Sequence, residues 1–465
     1  MEQRLLIAGC ASLNKAMQEL CAVERIGVPV IGLFSGIGGL EIGCTKAGGD
    51  VRIAVDNDPR CCETLRANPD FHKGLILQTD VETLSGRHLR KQAGLSKGDP
   101  LLIVGGPPCQ AFSKNAYWTD PGADAAFRRA RARGEKAKRP GIPPTRPDER
   151  RSLVDEFWRL VFEAAADAFL FENVPSIDHP RFRTYLERLI RAAESAKYRI
   201  SLVRANAVQY GVPQKRQRIF VLGMRGETPT PPDPTHAESR ESSDFFLLRP
   251  NTAGPALAPF AGPEFFEPEE VVEGRWAQHL YEVPAGWNYK AHTAWGGHPD
   301  PSFETETRFW QFLLKLHPDL PSWTIAANPG PWTGPFHWDS RRLRTPELAA
   351  LQAFPRGYQF VGSRRERVRQ IGNAVPRRQQ QPLADLAPPG RDREQDRPRA
   401  GRATDPRRHR LFGAPRQSSK EGLNRPGFKL AGRWPSRLVA TAEEDRLSIS
   451  PARACTHKSV QIEHA

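Results

Sequence analysis

Short apolar runs alternate with helical stretches over the first half of the chain, and this alternation constrains the fold more than any other feature. The runs at residues 28–34, 51–55 and 101–104 have the length of buried strands. Shorter runs follow at 75–77 and at 169–171, the second after a helical stretch. Because strands that alternate with helices build a sheet covered on both faces, the sequence predicts an α/β fold with a parallel sheet.

The composition divides the chain of 465 residues into four parts. Residues 1–28 form an N-terminal extension without a readable role, and residues 29–225 together with 341–376 form the α/β domain. In the smaller domain, residues 226–340, the α/β pattern stops, Pro, Gly and aromatic residues dominate, and seven of the ten tryptophans occur. We expect most of these tryptophans to be core residues. Periodicity is lost in the tail, residues 377–465.

The bulk properties exclude several classes of protein. No apolar stretch approaches the roughly 20 residues that span a bilayer, and the N-terminus lacks a clear signal peptide. The seven cysteines are scattered without paired CxxC motifs, which argues against a disulfide framework or a metal site and favours a cytoplasmic location. The net charge is +15, but the tail holds much of it, with 19 Lys and Arg against 10 Asp and Glu. Charge alone therefore supports a nucleic-acid partner only weakly.

The tetrad Pro107-Pro108-Cys109-Gln110 places a cysteine on a stiff loop directly after a predicted strand. Proline fixes φ and the preceding glycine pair permits a close backbone approach, so we expect an outward-facing thiol. A thiolate in such a position is a nucleophile. A lone cysteine is more often a small buried hydrophobe, so this role depends on what the rest of the chain supplies.

A glycine-rich turn, Phe-Ser-Gly-Ile-Gly-Gly at residues 34–39, lies between a predicted strand and a helix. It departs from GxGxxG and lacks the P-loop lysine, which argues against phosphate binding. Asp56 ends the next strand, where a carboxylate can hold ribose hydroxyls, and Asp80 could accept from an adenine amino group. Together these features indicate an adenosine-containing cofactor, although each alone is equally typical of a tight turn or a helix cap.

Two further blocks carry polar groups near strand ends. Glu172 follows the run at 169–171, and in a partly apolar pocket its pKa would rise, which suits proton transfer to a ring nitrogen. Arg216 and Arg218 precede the run at 219–222 on one face, where a guanidinium could reach a carbonyl oxygen or a phosphate. Each block alone is also typical of an ordinary solvated strand end.

These blocks, followed by Gln-Ile-Gly-Asn-Ala-Val-Pro at 370–376, occur in an order that resembles the DNA (cytosine-5) methyltransferase family of the bacterial restriction–modification type. The resemblance covers about residues 30–376. It implies a Rossmann-like S-adenosylmethionine-dependent methyltransferase sheet, with residues 226–340 as the target-recognition domain. It further implies a monomer that acts on double-stranded DNA and a restriction endonuclease that acts on the same site without forming a complex.

The resemblance also implies roles for the residues singled out above. Cys109 would add to carbon 6 of a cytosine flipped out of the duplex, which activates carbon 5 for methylation. Glu172 would bind the amino group and the N3 edge, and Arg218 the O2 carbonyl, with Arg216 nearby. The loop after Gln110 would close over the DNA. The residues expected to contact the cofactor are Phe34, Ser35, Gly36, Gly38, Asp56, Asp80, Pro107 and Asn373.

One departure from the family pattern concerns the C-terminus. In the family an apolar helix follows the Asn-Ala-Val-Pro block, but here Arg-Arg-Gln-Gln-Gln-Pro follows at residues 377–382. We therefore hypothesise that the reading frame is shifted near Pro376 and that residues 377–465 are disordered. Two alternatives remain open from the sequence: a catalytically impaired remnant that binds DNA, and a tRNA cytosine-5 methyltransferase.

Overall fold

The computed structural model describes residues 27–113, 147–242, 244–304 and 308–376, together with the short pieces 126–127, 130, 135–136 and 138. The chain divides into two units, Met1–Arg393 and Glu394–Ala465, and every described residue lies in the first. The expectations for residues 1–26, for most of the loop after Gln110 and for the tail 377–465 lie outside the described residues. No helix in the described part is long and apolar enough to cross a membrane.

Seven strands of the described chain form one sheet in the order β3-β2-β1-β4-β5-β7-β6. Strands β1 to β5 pair in parallel, which confirms the predicted α/β fold. The strands are β1 (Pro29–Leu33), β2 (Asp50–Asp56), β3 (Leu75–Gln78), β4 (Leu102–Gly105), β5 (Ala168–Asn173), β6 (Tyr198–Asn206) and β7 (Gln217–Arg225).

Strand β7 departs from the predicted parallel sheet, because it runs antiparallel to both β5 and β6. Only residues 207–216 connect β6 to β7, which is shorter than the dozen or more residues of a parallel crossover. The consequence is that the beginning of β7 lies at the same edge of the sheet as the end of β5, where Asn173 pairs with Ile219.

The described residues form nine α-helices. In chain order they are α1 (Gly39–Lys46), α2 (Pro59–Arg66), α3 (Gly86–Gln92), α4 (Leu153–Glu163), α5 (Arg183–Ser195), α6 (Ala253–Leu257), α7 (Ala277–Glu282), α8 (Thr345–Leu351) and α9 (Arg364–Asn373). The apolar face of α4 shows why it forms: Val154, Phe157, Leu160 and Val161 recur at helical spacing and are all fully buried.

The core lies on both faces of the sheet. Ile31 and Leu33 of β1 pack into one hydrophobic cluster with Phe157, and Val30 of the same strand packs into a second cluster with Leu40. This division follows from the period of two along a strand, which sends alternate side chains to opposite faces. The central strands are buried on both sides, which explains their continuous apolar sequence.

The region 226–340 contains few regular elements and has a hydrophobic cluster of its own, built around Tyr289, Phe303 and Phe312. Trp276 and Trp332 pack against that cluster, as expected of core tryptophans. The expectation was wrong for three others, Trp287, Trp295 and Trp310, which are 40, 67 and 48% exposed. A tryptophan count indicates burial poorly, because the ring can lie flat on a surface with one face in solvent.

Candidate active site

The carboxyl ends of β1, β2, β4 and β5 meet at one edge of the sheet, above the point where β1 is flanked by β2 and β4. In sheets of this type ligands bind in the crevice where the strand order reverses, here between β1 and β4. A cleft of about 250 Å³ opens there, and its walls include residues that follow β1, β2 and β4 and the β5 residue Glu172.

Cys109 lies in this cleft, at the start of a 3₁₀ turn that runs to Ala111. The loop before Cys109 is held in place by β5, because Asn173 Nδ2 donates a hydrogen bond of 3.1 Å to the Pro107 carbonyl. Asn173 is fully buried at the end of β5, so a rigid strand determines where the cysteine loop lies.

The residues after Cys109 are also held by buried donors. Arg151 Nε donates to the Ala111 carbonyl at 3.2 Å, and Ser176 Oγ donates to the Phe112 carbonyl at 2.5 Å. Phe112 itself is fully buried. The thiol is therefore placed by contacts on both sides, as a nucleophile requires.

Glu172 and Arg218 form an ion pair beside Cys109, with 2.9 Å between Arg218 Nε and Glu172 Oε1. Both side chains are more than nine-tenths buried. Glu172 lies near the end of β5, and Arg218 reaches the same edge because β7 is antiparallel. A Cβ on Gly106 would lie 2.7 Å from Glu172 Oε2, so glycine is needed for this close approach.

The electrostatics of the pair bear on the thiol. Burial raises the pKa of Glu172, and the Arg218 guanidinium opposes this rise. Burial also raises the pKa of Cys109, again opposed first by Arg218 and increased by the Glu172 carboxylate. Burial thus disfavours the charged form of both Cys109 and Glu172, and the Arg218 guanidinium favours it.

Arg216 lies on the same side but has different partners. Its Nη2 donates to the carbonyls of Gly372 and Ala374, each at 2.9 Å, and its side chain does not line the cleft. Burial lowers the pKa of Arg216 to about 9. The last carbonyls of a helix have no partner within the helix, so Arg216 caps the end of α9 and thereby positions Asn373.

The glycine-rich turn after β1 forms the other wall of the cleft. Phe34, Gly36 and Gly38 have positive φ values of 53°, 54° and 76°, so the backbone coils tightly between β1 and α1. No described atom lies within 4 Å of the position that a Cβ on Gly36 would occupy, and Gly36 lines the cleft. This bare stretch of backbone is a cradle for a flat ligand, as the sequence predicts for a nucleoside.

Asp56 lies at the end of β2 and faces the same cradle. Its two carboxylate oxygens accept from Gly36 N–H at 2.7 Å and from Asp58 N–H at 2.8 Å. Burial raises the pKa of Asp56, and these two donors oppose the rise. Each oxygen keeps a lone pair, which fits a ligand with two neighbouring hydroxyls. Asp80, across the cleft, caps the turn Val81–Thr83 through one oxygen.

The structure brings together most of the residues singled out from the sequence. The residues that line the cleft are Phe34, Gly36, Asp56, Asp80, Pro107, Cys109, Glu172, Arg218 and Asn373. Ser35 and Gly38 lie behind the turn instead. A Cβ on Gly38 would lie 2.0 Å from the His72 ring, so this glycine is needed for close packing rather than for access to the cleft.

The sequence reasoning missed several cleft residues, among them Arg369, Gln370 and Cys61. Arg369 pairs with Asp58 at 2.7 Å between Nη2 and Oδ2. Arg369 and Gln370 precede Asn373 by four and three residues. This spacing was an available signal, because in a helix it places the three side chains on one face. A second signal was Ser363-Arg-Arg-Glu366, the capping-box pattern of a helix N-terminus, and Ser363 and Glu366 form that box at the start of α9.

Comparisons with known proteins agree with this geometry. The sequence model of the family described as C-5 cytosine-specific DNA methylase matches residues 28–129, 140–262 and 304–384. The chain is 36% identical over 381 residues to the Type II methyltransferase M.SacI of Streptomyces achromogenes, covering 75% of this chain and 90% of that protein. It is 29% identical to the Type II methyltransferase M1.HphI of Haemophilus parahaemolyticus, covering 74% and 82%.

Among solved structures, the fold is similar to that of a protein described as a DNA modification methyltransferase encoded within an E. coli prophage. The TM-score is 0.52 at 22% identity, over 77% of this chain and 98% of that one. This likeness concerns the fold. The family match continues to residue 384, eight residues beyond the point where the sequence pattern departs from the family.

Proposed function

The chain belongs to the family of C-5 cytosine-specific DNA methylases, and we propose that it methylates carbon 5 of a cytosine flipped out of a specific double-stranded DNA sequence. The observation that carries this proposal is the arrangement of Cys109 beside the buried Glu172–Arg218 pair, in a cleft that also contains the cradle around Gly36 and Asp56. Nucleophile, ring-binding groups and cofactor site thus share one edge of the sheet.

Carbon 5 of cytosine is a poor nucleophile, so the ring has to be activated first. Cys109 Sγ gives its proton to water and bonds to carbon 6, N3 takes up a proton from Glu172, and the electrons of the 5,6 double bond become available at carbon 5. After carbon 5 has gained the methyl group, its proton passes to water and the sulfur–carbon bond breaks with its electron pair on sulfur. N3 returns its proton to Glu172, the aromatic ring is restored, and the released thiolate regains a proton from water. The cytosine has to leave the duplex, because the sulfur cannot reach carbon 6 inside the stack.

The ion pair beside the thiol holds the ring during these steps. Glu172, whose pKa is raised by burial, donates a proton toward N3 and accepts from the exocyclic amino group. Arg218 donates to the O2 carbonyl, where negative charge grows as Cys109 adds. Arg216 acts through another part of the protein, since it fixes the end of α9.

Enzymes of this family use S-adenosylmethionine, which supplies an electrophilic methyl group bound to a sulfonium sulfur. Asp56 would hold the ribose hydroxyls, Asp80 the adenine amino group, and Phe34 would contact the adenine ring. Pro107, Gly36 and Asn373 complete the walls, while Ser35 and Gly38 shape the turn from behind. No metal is needed for this chemistry.

Residues 226–340 would form the target-recognition domain. A row of aromatic and cationic side chains begins at Lys215, next to Arg216, and crosses this region. Lys215 Nζ lies 5.7 Å from the Trp323 ring centre, and the ring centres of Trp323 and Trp310 are 5.5 Å apart. Lys290 lies 5.1 Å from Trp295 and 5.4 Å from Trp310. Exposed aromatic rings beside lysines suit contact with bases and phosphates.

The relatives' names support a role as the modification enzyme of a type II restriction–modification system. We propose that a cognate endonuclease cleaves the same sequence without forming a complex with this chain, and that the chain acts as a monomer in the cytoplasm. These proposals follow from the type of enzyme.

The test is bisulfite sequencing of plasmid DNA from a methylation-free host that expresses the full chain. We expect protected cytosines in one short motif, lost in Cys109→Ser and retained in Cys44→Ala, which alters a buried cysteine away from the cleft. Conversion of every cytosine with soluble wild-type protein present would overturn the proposal. Methylation of tRNA but not of plasmid DNA by the purified chain would indicate the RNA enzyme instead.

A further inference from the structure

A histidine and glutamate cluster lies in residues 277–298, away from the cleft. Within the part of the chain that the structure describes, one group has the geometry of a metal site: Glu282, His292 and His298 each offer a ligand atom, all within 4.8 Å of one another. Glu282 ends helix α7, His292 ends the 3₁₀ turn Tyr289–His292, and His298 follows a second short turn. Three separate pieces of chain therefore meet at this point.

His292 supplies the main observation, because its ring is 1% exposed and its tautomer is fixed. Nε2 lies 2.7 Å from the carbonyl oxygen of His279, so Nε2 carries the proton and donates it. The other nitrogen, Nδ1, then has a bare lone pair. It is buried, has no hydrogen-bond partner among the described residues, and lies 3.9 Å from Glu282 Oε2.

A histidine that ligates a metal characteristically donates its other N–H to a carbonyl or a carboxylate, which orients the ring. The His292–His279 hydrogen bond already has this form. A bare buried lone pair costs free energy unless something occupies it.

Glu282 and His298 offer ligand atoms close to His292 Nδ1. Glu282 Oε1 accepts from Gln278 Nε2 at 2.7 Å, which orients the carboxylate, and the side chain is 46% exposed, which gives an ion a path from solvent. The His298 ring centre lies 5.3 Å from that of His292. Its Nδ1 accepts from the exposed Asp300 N–H at 3.2 Å, a long bond that a metal can displace and water can replace.

We propose that Glu282, His292 and His298 bind a divalent transition metal of the zinc class. Two imidazoles with one carboxylate suit zinc, whereas magnesium and calcium prefer oxygen ligands alone. Three protein ligands leave one tetrahedral position for water. The metal would tie helix α7 to both ends of the segment 292–298, which contains the exposed Trp295.

The experiment is a calorimetric titration of the chelator-treated full-length protein with zinc chloride, repeated for Glu282→Gln and His298→Gln. His317→Gln is the matched control, because His317 lies in the same region and its Nδ1 accepts from Asp319 N–H at 3.1 Å, as in the His298–Asp300 turn. Both test positions are more exposed than His292, so the variants keep the hydrophobic cluster intact. Circular dichroism confirms their folding.

We expect one zinc equivalent per chain and a melting temperature raised by several degrees in wild type and His317→Gln. Either test variant should weaken binding at least tenfold and lose the rise. Cobalt substitution should give the visible absorption of a tetrahedral site without a thiolate band. The proposal is overturned if wild type binds no zinc, or if Glu282→Gln and His298→Gln bind it as tightly as wild type.

Discussion

Replacing Glu41 with glutamine should stabilise the protein at alkaline pH and leave its stability nearly unchanged at acidic pH. Glu41 belongs to α1 and is 1% exposed, with its carboxylate packed over Gly32 behind the glycine-rich turn. Burial raises the pKa of Glu41 to about 7; the Ser35 hydroxyl opposes the rise and the Asp56 charge adds to it. Folding therefore has to remove an ionised carboxylate from water whenever the pH is above that value.

The magnitude follows from the two pKa values of Glu41. The carboxyl titrates near 4.5 when unfolded and near 7 when folded, so between these values the folded protein binds more protons. Stability attributable to Glu41 is thus present below about pH 4.5 and is lost as the pH rises through 7. The full loss is about 3 kcal/mol, because one pKa unit corresponds to about 1.4 kcal/mol.

The assay is urea-induced unfolding of wild type and Glu41→Gln at pH 5 and pH 8, at constant ionic strength. We expect the variant to gain up to about 3 kcal/mol relative to wild type at pH 8 and well under half of that at pH 5. Glu187→Gln, an exposed carboxylate, is the control and should show the same small difference at both values. Equal differences for Glu41→Gln at pH 5 and pH 8 would refute the reasoning.

Two further predictions concern the active site. Arg216→Met removes the donors to the α9 carbonyls, each worth roughly 1.5–3 kcal/mol, so we expect a lower melting temperature and a KM for S-adenosylmethionine raised at least tenfold. For Arg216→Met, the rate of covalent trapping on 5-fluorocytosine DNA at saturating cofactor should change little. If this rate fell as far as it does in Arg218→Met, Arg216 would have a direct catalytic role. Gly106→Ala should slow trapping about 100-fold by displacing Glu172, with cofactor affinity retained in calorimetry; a wild-type trapping rate would contradict the steric argument.

The sequence determined the sheet and the chemistry-bearing groups because both depend on local patterns. Strands buried on both faces have continuous apolar sequences, and loops directly after them must lie at one edge of the sheet. This is enough to bring Cys109, Glu172 and Asp56 into one cleft, and the structure places all three there. Element boundaries shifted by a few residues without changing this outcome.

The tertiary structure decided which partner each polar group has, because that depends on residues far apart in the chain. Arg216 and Arg218 are near neighbours, yet one reaches the end of α9 and the other Glu172. The direction of β7, which brings both arginines to the active-site edge, follows from a short connection that the apolar pattern does not show.

The same limit applies to the histidine cluster. The absence of paired CxxC motifs argued against a metal site. The spacing of Glu282, His292 and His298 along the chain matches no metal-binding motif, and these residues meet only when two turns fold against helix α7. The sequence by itself therefore determined the fold class, since periodicity encodes it, and the roles of the reactive residues came from the resemblance that the ordered motif blocks carry. Only the folded chain decided which side chains are buried together, because burial and the resulting pKa shifts arise from contacts between distant segments.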